Sequence, residues 1–293
     1  MTKKQTHRIL LLLLFLLLQS VAITRAQQVE YVEADSVRIV RLLSDAKNQR
    51  GSEHPMIWFG RQFFGLPYVA HTLENGDSEH LIVNIHGLDC TTFVETCAAL
   101  SFCDAHDTRS FSDFCNALRM LRYRGGIIDA YPSRLHYFTQ WGEDNERMGL
   151  VTSILESVDF NGFATQTVDV DYMTRHPDLY KQLKNHPGFI PAIRRWEEDV
   201  NGRKYRYLPK SKLNLPPSEL SFIHTGDILS IITAKDGLDT SHITVAVWQD
   251  GRLGLMHASQ LRKKVLIDPL SYYDYAQTQS HILGIRVYRL NLY

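Results

Sequence analysis

"HGLDCTTFVETCAAL", residues 86–100, sets a glycine turn and an aspartate directly before a cysteine and a helical run. Cys90, Phe93, Val94, Cys97, Ala98 and Ser101 recur at i, i+3, i+4 and i+7 spacing, so Cys90 lies on the stripe that faces the rest of the protein. Asp89 is a good N-cap, and Thr92-Phe93-Val94-Glu95 is an alternative capping box. Either choice leaves Cys90 at or just before the helix start. A thiol there is either a small buried hydrophobe or a nucleophile whose pKa the unpaired N–H groups and macrodipole lower.

A nucleophile needs a base within reach and a third group to orient that base. Along 242–248 the residues alternate, with Ile243, Val245 and Val247 on one face and His242, Thr244, Ala246 and Trp248 on the other. Asp250-Gly251 is a strong type I′ turn signal, and it pairs Gln249 with Arg252 and Thr244 with His257. His242 and His257 then share a face as diagonal neighbours, roughly 7–8 Å apart at the backbone. A cysteine helix packed over them completes the constellation. Cys90, His242 and His257 are also acceptable zinc ligand types, but no H-E-x-x-H is present. The expectation is no metal and no cofactor.

Outward from this centre, Val37, Val40, Leu43 and Ala46 predict an N-terminal helix within residues 30–47. "EHLIVNIHGLDC" reads as a short strand entering the glycine turn. Residues 105–220 are aromatic- and arginine-rich with little periodicity; Asp169 and Asp171 there read as loop or strand-end residues. "GDILSIIT", "SHITVAVW", "LGLMHA", "KKVLI" and "LGIRVYRL" are short strand-like runs typical of an antiparallel meander. Helices followed by a sheet predict an α+β class. Cys90 and Cys97, about 10 Å apart along one helix, are too far to bridge, whereas Cys103 and Cys115 can pair across a short loop.

Lys3, Lys4 and Arg8, an apolar run from Ile9 to Leu18, and Thr24-Arg25-Ala26 follow the order of a secretory signal peptide over residues 1–26. The run is short of the ~20 residues a membrane span needs, and no cysteine near the cleavage point suggests a lipoprotein. The full chain has 32 basic and 32 acidic residues. Without the four basic residues of the signal, 28 remain against 32, which argues against a nucleic-acid partner. Residues 27–293 are expected to form one domain, exported to the periplasm and without a stable membrane anchor.

"LPYVA", "LDCTTFVE", "GDIL", "SHITVAVW" and "MHAS", in that order, resemble the NlpC-type, papain-like bacterial cell-wall cysteine hydrolases. "YRGGIIDAYPSRLHYFTQW" at 123–141, "MTRHPDLY" at 173–180 and "YRYLPK" at 205–210 narrow the resemblance to the N-acetylmuramoyl-L-alanine amidase-like branch. It extends over nearly all of residues 27–293. It implies an α+β, papain-like core with the catalytic cysteine at a helix N-terminus packed on an antiparallel sheet carrying the histidines, plus an insert at about 105–222.

By the same resemblance, Cys90 is the nucleophile, His242 the general base and His257 the orienting residue. Tyr68 and Asp89 are expected at the cleft, serving the oxyanion or the substrate. Arg134, His136 and Tyr137 are candidate sugar or stem-peptide contacts, since arginine grips carboxylates through two parallel bonds. The implied reaction is cleavage of the N-acetylmuramoyl-L-alanine bond through a thioester. Thr91 and Thr92 stand where the wider superfamily carries serine and glycine, which speaks against a γ-D-glutamyl-diamino acid endopeptidase. No accessory wall-binding segment is recognisable, so soluble muropeptides, anhydro-muropeptides among them, are the expected substrate. A non-catalytic muropeptide-binding protein is the alternative from another class.

Overall fold

Asp250 and Gly251 both adopt positive φ, 49° and 72°, as a type I′ turn requires, and the hairpin they close joins strands Thr240–Gln249 and Arg252–Ser259 of the main sheet. The computed structural model describes residues 29–76 and 78–293; the expected signal, residues 1–26, lies outside them. Among the described residues, no helix is long and apolar enough to cross a membrane.

In chain order the elements begin with β1 (Val29–Glu30), α1 (Glu33–Gln49), α2 (Pro55–Arg61), β2 (Leu81–Ile82), α3 (Cys90–Ala105) and α4 (Phe111–Arg122). Next come α5 (Phe138–Arg147), β3 (Val151–Ser153), β4 (Ala164–Thr167), α6 (Tyr172–Arg175), α7 (Lys181–Asn185), α8 (Ile190–Val200) and β5 (Lys204–Pro209). The chain ends with β6 (Ile228–Thr233), β7 (Thr240–Gln249), β8 (Arg252–Ser259), β9 (Lys264–Ile267), α9 (Tyr272–Gln277) and β10 (Ile282–Leu290). This is a mixed α+β fold with a mainly antiparallel sheet.

Helix α1 exists where the spacing predicts it, but its buried face is Ile39, Leu42, Leu43 and Ala46. Val37 and Val40 are instead 61% and 40% exposed. Helix α3 is buried almost all round, Thr92 to Asp104, because α1, α2 and α4 surround it on one side and β7 and β8 on the other. Its internal Glu95 is tolerated through a 2.7 Å ion pair with Arg122, whose second bond goes to the Ile82 carbonyl at 2.7 Å. Breaking such a buried pair from one side costs about 3–5 kcal/mol. Cys103 and Cys115 are buried free thiols on α3 and α4.

Strands β6 to β9 form the expected meander, but β10 does not extend it. It returns antiparallel to β6, giving the order β4-β5-β10-β6-β7-β8-β9, with β3 also on β10. The 105–222 segment therefore adds strands β3, β4 and β5 to the main sheet. It also builds its own small core, including Tyr137, Val170, Met173, Leu183 and Ile193. The two sheet faces are covered differently: Ile243, Val245, Val247 and Met256 pack with α3, while Ala246, Leu253 and Leu255 pack with Tyr272 and Tyr275 of α9.

Candidate active site

Helix α3 starts at Cys90 because Asp89 caps it. Asp89 Oδ1 accepts the Thr92 N–H at 2.8 Å, and Thr92 Oγ1 in return accepts the Asp89 N–H at 2.9 Å. The capping box thus runs from Asp89 to Thr92, not from Thr92 to Glu95, which is spent on Arg122. Of the two residues expected at the cleft, Asp89 has its Oδ1 engaged by Thr92, and neither Asp89 nor Tyr68 is among the residues that line the cleft beside Cys90.

Tyr68 reaches the site through a parallel bridge to Leu88. The crossing needs Gly87, where a Cβ would fall 2.4 Å from Val69 Cγ2. Burial, then Cys90 and Asp89, push the Tyr68 phenol above its ordinary value, so it stands as a neutral O–H beside the thiol. Burial first and the Asp89 carboxylate second push the Cys90 thiol up to about 12. The backbone N–H groups of Ile243 and Thr91 and the Thr91 hydroxyl act the other way but do not prevail. A helix start was expected to lower this pKa; desolvation outweighs it.

The histidines hold the register that the Asp250-Gly251 turn implies, with Val245 opposite Met256 and Gln249 opposite Arg252. His242 Nε2 lies 2.6 Å from His257 Nδ1. Helix α3, however, does not pack over this pair. The pair lies on the α9 face of the sheet, where the His257 ring meets Tyr275 edge-on at 5.7 Å. The Cys90 thiol lies against the Ile243 backbone near the start of β7, next in sequence to His242, where a register shift at Ser241 interrupts the β6–β7 ladder. Cys90 and His242 both line one cleft of about 180 Å³. Burial and the neighbouring His257 lower the His242 pKa to about 3.

Asp268, which the sequence reading missed, approaches from behind. It lies 3.5 Å from His257 Nε2, a long contact that is an ion-pair approach and not a well-made hydrogen bond. Burial raises the Asp268 pKa, but His257, the Leu270 N–H and Arg262 together bring it down to about 2. Asp268 donates its N–H to the Leu255 carbonyl at 2.9 Å. It is therefore a diagonal neighbour of His257, the same geometry that joins the two histidines. The signal lay in the β8–β9 register, but the turn between these strands gives no pattern to count from.

The other cleft wall comes from the segment 135–141 and the turn before β7. Asp239 Oδ2 accepts the Thr139 N–H at 2.6 Å, which holds α5 against that turn. Phe138 and Trp141, not singled out from sequence, line the cleft with stacked rings 4.7 Å apart. His136 lines it too, its Nε2–H donating to the Tyr131 carbonyl at 3.0 Å, and burial lowers its pKa to about 3. Tyr137 presents its ring but not its hydroxyl, which donates to Glu197 at 2.7 Å.

Arg134 is a correction. It is buried and held by Glu79 through two bonds of 3.0 and 2.9 Å and by Glu74 at 3.0 Å, so it cannot grip a substrate carboxylate. Asp171 pairs with Arg175, in keeping with a loop acid. Among the described residues, no cluster of His, Cys, Asp and Glu has metal-binding geometry.

A family model described as AmiA-like, N-acetylmuramoyl-L-alanine amidase-like, matches residues 58–285. Among solved structures, a N-acetylmuramoyl-L-alanine amidase from Bacteroides uniformis is 36% identical with a TM-score of 0.75, covering 80% of this chain and 97% of that one. A Bacteroides fragilis structure with the provisional name xylanase is 38% identical at TM-score 0.73, covering 79% and 98%. A Legionella pneumophila structure, 21% identical at TM-score 0.65 and covering 88% and 95%, shares the fold. No curated protein matches the chain.

Proposed function

The chain belongs to the N-acetylmuramoyl-L-alanine amidase-like family, and we propose that it is a papain-like cysteine amidase that hydrolyses the bond between N-acetylmuramic acid and L-alanine in muropeptides. The observation that carries this is the 2.6 Å contact between His242 and His257 beside the cleft that holds Cys90. It supplies a base with its second nitrogen already engaged, next to a nucleophile at a helix start.

Asp268 is ionised at neutral pH, so His257 keeps its proton on Nε2 facing it. His257 Nδ1 is then an acceptor, and His242 Nε2–H donates to it. This tautomer, assigned from the bond network, leaves the His242 Nδ1 lone pair free for the thiol. The reaction starts from a neutral thiol and a neutral imidazole, and the proton passes as the substrate is attacked. His242 Nδ1 takes the Cys90 proton while Sγ bonds to the lactyl carbonyl carbon. The oxyanion faces the backbone N–H at the helix start, a kind of contact that contributes about 3–4 kcal/mol elsewhere. Collapse breaks the C–N bond, and His242 returns the proton to the departing alanine amine. Water then attacks the thioester, gives its proton to His242, and restores the thiol. Tyr68 supplies a neutral O–H beside Cys90.

A glycosidase would need two carboxyl groups flanking the scissile bond. Among the described residues lining the cleft, Asp239 is the one carboxylate, and the Thr139 N–H occupies it. This supports amide over glycoside cleavage. The signal-like residues 1–26 support export to the periplasm, where muropeptides arise.

Mass spectrometry of a muropeptide digest tests the proposal. Stem peptides beginning with free L-alanine, lost on Cys90→Ala substitution, are the expected products. Fragments cut after D-glutamate would replace the amidase by an endopeptidase, and binding without turnover by a muropeptide-binding protein.

A further inference from the structure

A second cleft, of about 90 Å³, lies against the first and shares Ser241 and His242 with it. Cys90 does not line it. Its remaining polar lining comes from Lys235, Gln260, Tyr275, Gln279 and His281. Among the described residues lining it there is no carboxylate, and Lys235 is exposed without an ion-pair partner. The backbone places the two cationic-type side chains together, since the Ala234 N–H donates to the His281 carbonyl at 2.8 Å. Burial, then Lys235 and Lys210, lower the His281 pKa, so at neutral pH Lys235 carries the charge and the imidazole is neutral. The result is a positively charged recess that the proposed proton donor, His242, itself borders.

We propose that this recess is an anion subsite for a carboxylate on the departing peptide, with Lys235 as its charge. The inference rests on the amidase reading. In that reaction His242 protonates the leaving amine, so the leaving peptide must run past His242. The cleft shared with Cys90, walled by Phe138 and Trp141, is left for the acyl side and its sugar. An extended peptide advances about 3.4 Å per residue, so the residue after alanine lies within about 7 Å of the broken bond. A free carboxylate on that residue falls at the recess. A carboxamide in its place would keep one acceptor oxygen and lose the other together with the charge pairing.

The test compares N-acetylmuramoyl-L-alanyl-D-glutamate with its isoglutamine form, the γ-carboxyl blocked as a methylamide in these and in the free peptides below, so that each pair differs only in the free α-carboxylate. The acid is expected to have about tenfold higher kcat/KM, expressed in KM, the size of one charge-assisted hydrogen bond. In Lys235→Gln the acid-to-amide ratio falls toward one, and in Lys235→Arg it is retained. An unchanged ratio in Lys235→Gln, or equal turnover of both substrates by the unsubstituted chain, overturns the subsite while leaving the amidase reading intact. Calorimetry with the free peptides L-alanyl-D-glutamate and L-alanyl-D-isoglutamine separates the two ideas. A Lys235-dependent preference for the acid peptide, without cleavage of either muramoyl substrate, keeps the subsite and removes the amidase. No such preference removes the subsite.

Discussion

His242 and His257, fifteen residues apart, face each other across one hairpin at 2.6 Å, and Asp268 stands behind the second imidazole at 3.5 Å. The order of these three groups determines which nitrogen each histidine protonates. With the carboxylate held ionised, each imidazole presents its N–H toward Asp268, and the far end of the chain is the free lone pair on His242 Nδ1. The proposed base is thus assembled on the sheet, by residues of β7 and β8 and the turn after β9, and not on the helix that carries Cys90.

Asp268→Asn therefore acts on orientation. The carboxamide can still contact His257 but presents no charge to hold its Nε2 proton, so the fraction of His242 in the productive tautomer falls. The expected loss is about 10- to 10³-fold in kcat with KM little changed, smaller than for His257→Ala, since loss of an orienting aspartate costs up to ~10⁴ where it contacts the base directly. Steady-state kinetics on a muramoyl substrate decide it. A second readout is stability. The folded pKa of about 2 lies below the ordinary 3.8, so the ionised Asp268 stabilises the fold above pH 3.8 and that contribution is lost as pH falls toward 2. The contribution is about 2 kcal/mol, and unfolding of Asp268→Asn should lack this acid limb. A variant with unchanged kcat and an unchanged acid limb would contradict the assigned chain.

Arg134 gives the opposite kind of outcome. Arg134→Ala strands Glu79 and Glu74 in a buried setting, and the expected loss is about 3–5 kcal/mol of stability. Denaturant unfolding measures it directly. The folded fraction should retain its KM for muropeptides, because the guanidinium does not reach the cleft; a raised KM with intact stability would restore the substrate role expected from the sequence.

The contrast between these residues marks what a linear reading can reach. The histidine pair was legible because a two-residue turn fixes the register and alternation fixes the face. The helix at Cys90 was legible from its cap and its spacing. Relations set at long range were not. Strand β10 joins β6, beyond the reach of any local turn. On α1 the burial of Ile39 over Val37 depends on where α3 and α4 lie. Arg134 finds its acids 55 and 60 residues back in the chain. Even the placement of α3 on the face opposite the histidines follows from how the sheet is covered, which periodicity does not encode.

The resting state of Cys90 is the sharpest point of difference from the expected thiolate, and alkylation tests it. With the thiol near 12, the thiolate fraction rises about tenfold per pH unit throughout the stable range. The rate of iodoacetamide labelling of the free chain should climb from pH 6 to 10 without a plateau. A thiolate–imidazolium pair would instead give a fast, flat rate across neutrality. Asp89→Asn refines the test, because asparagine caps a helix about as well as aspartate but carries no charge. The helix start is retained, the repulsion that Asp89 adds to burial is removed, and labelling at pH 8 should speed up several-fold with little change in Tm. Asp89→Ala, by comparison, loses the bond to the Thr92 N–H and should cost about 1 kcal/mol. If Asp89→Asn labels no faster, burial alone sets the thiol, and the aspartate is there only to begin the helix.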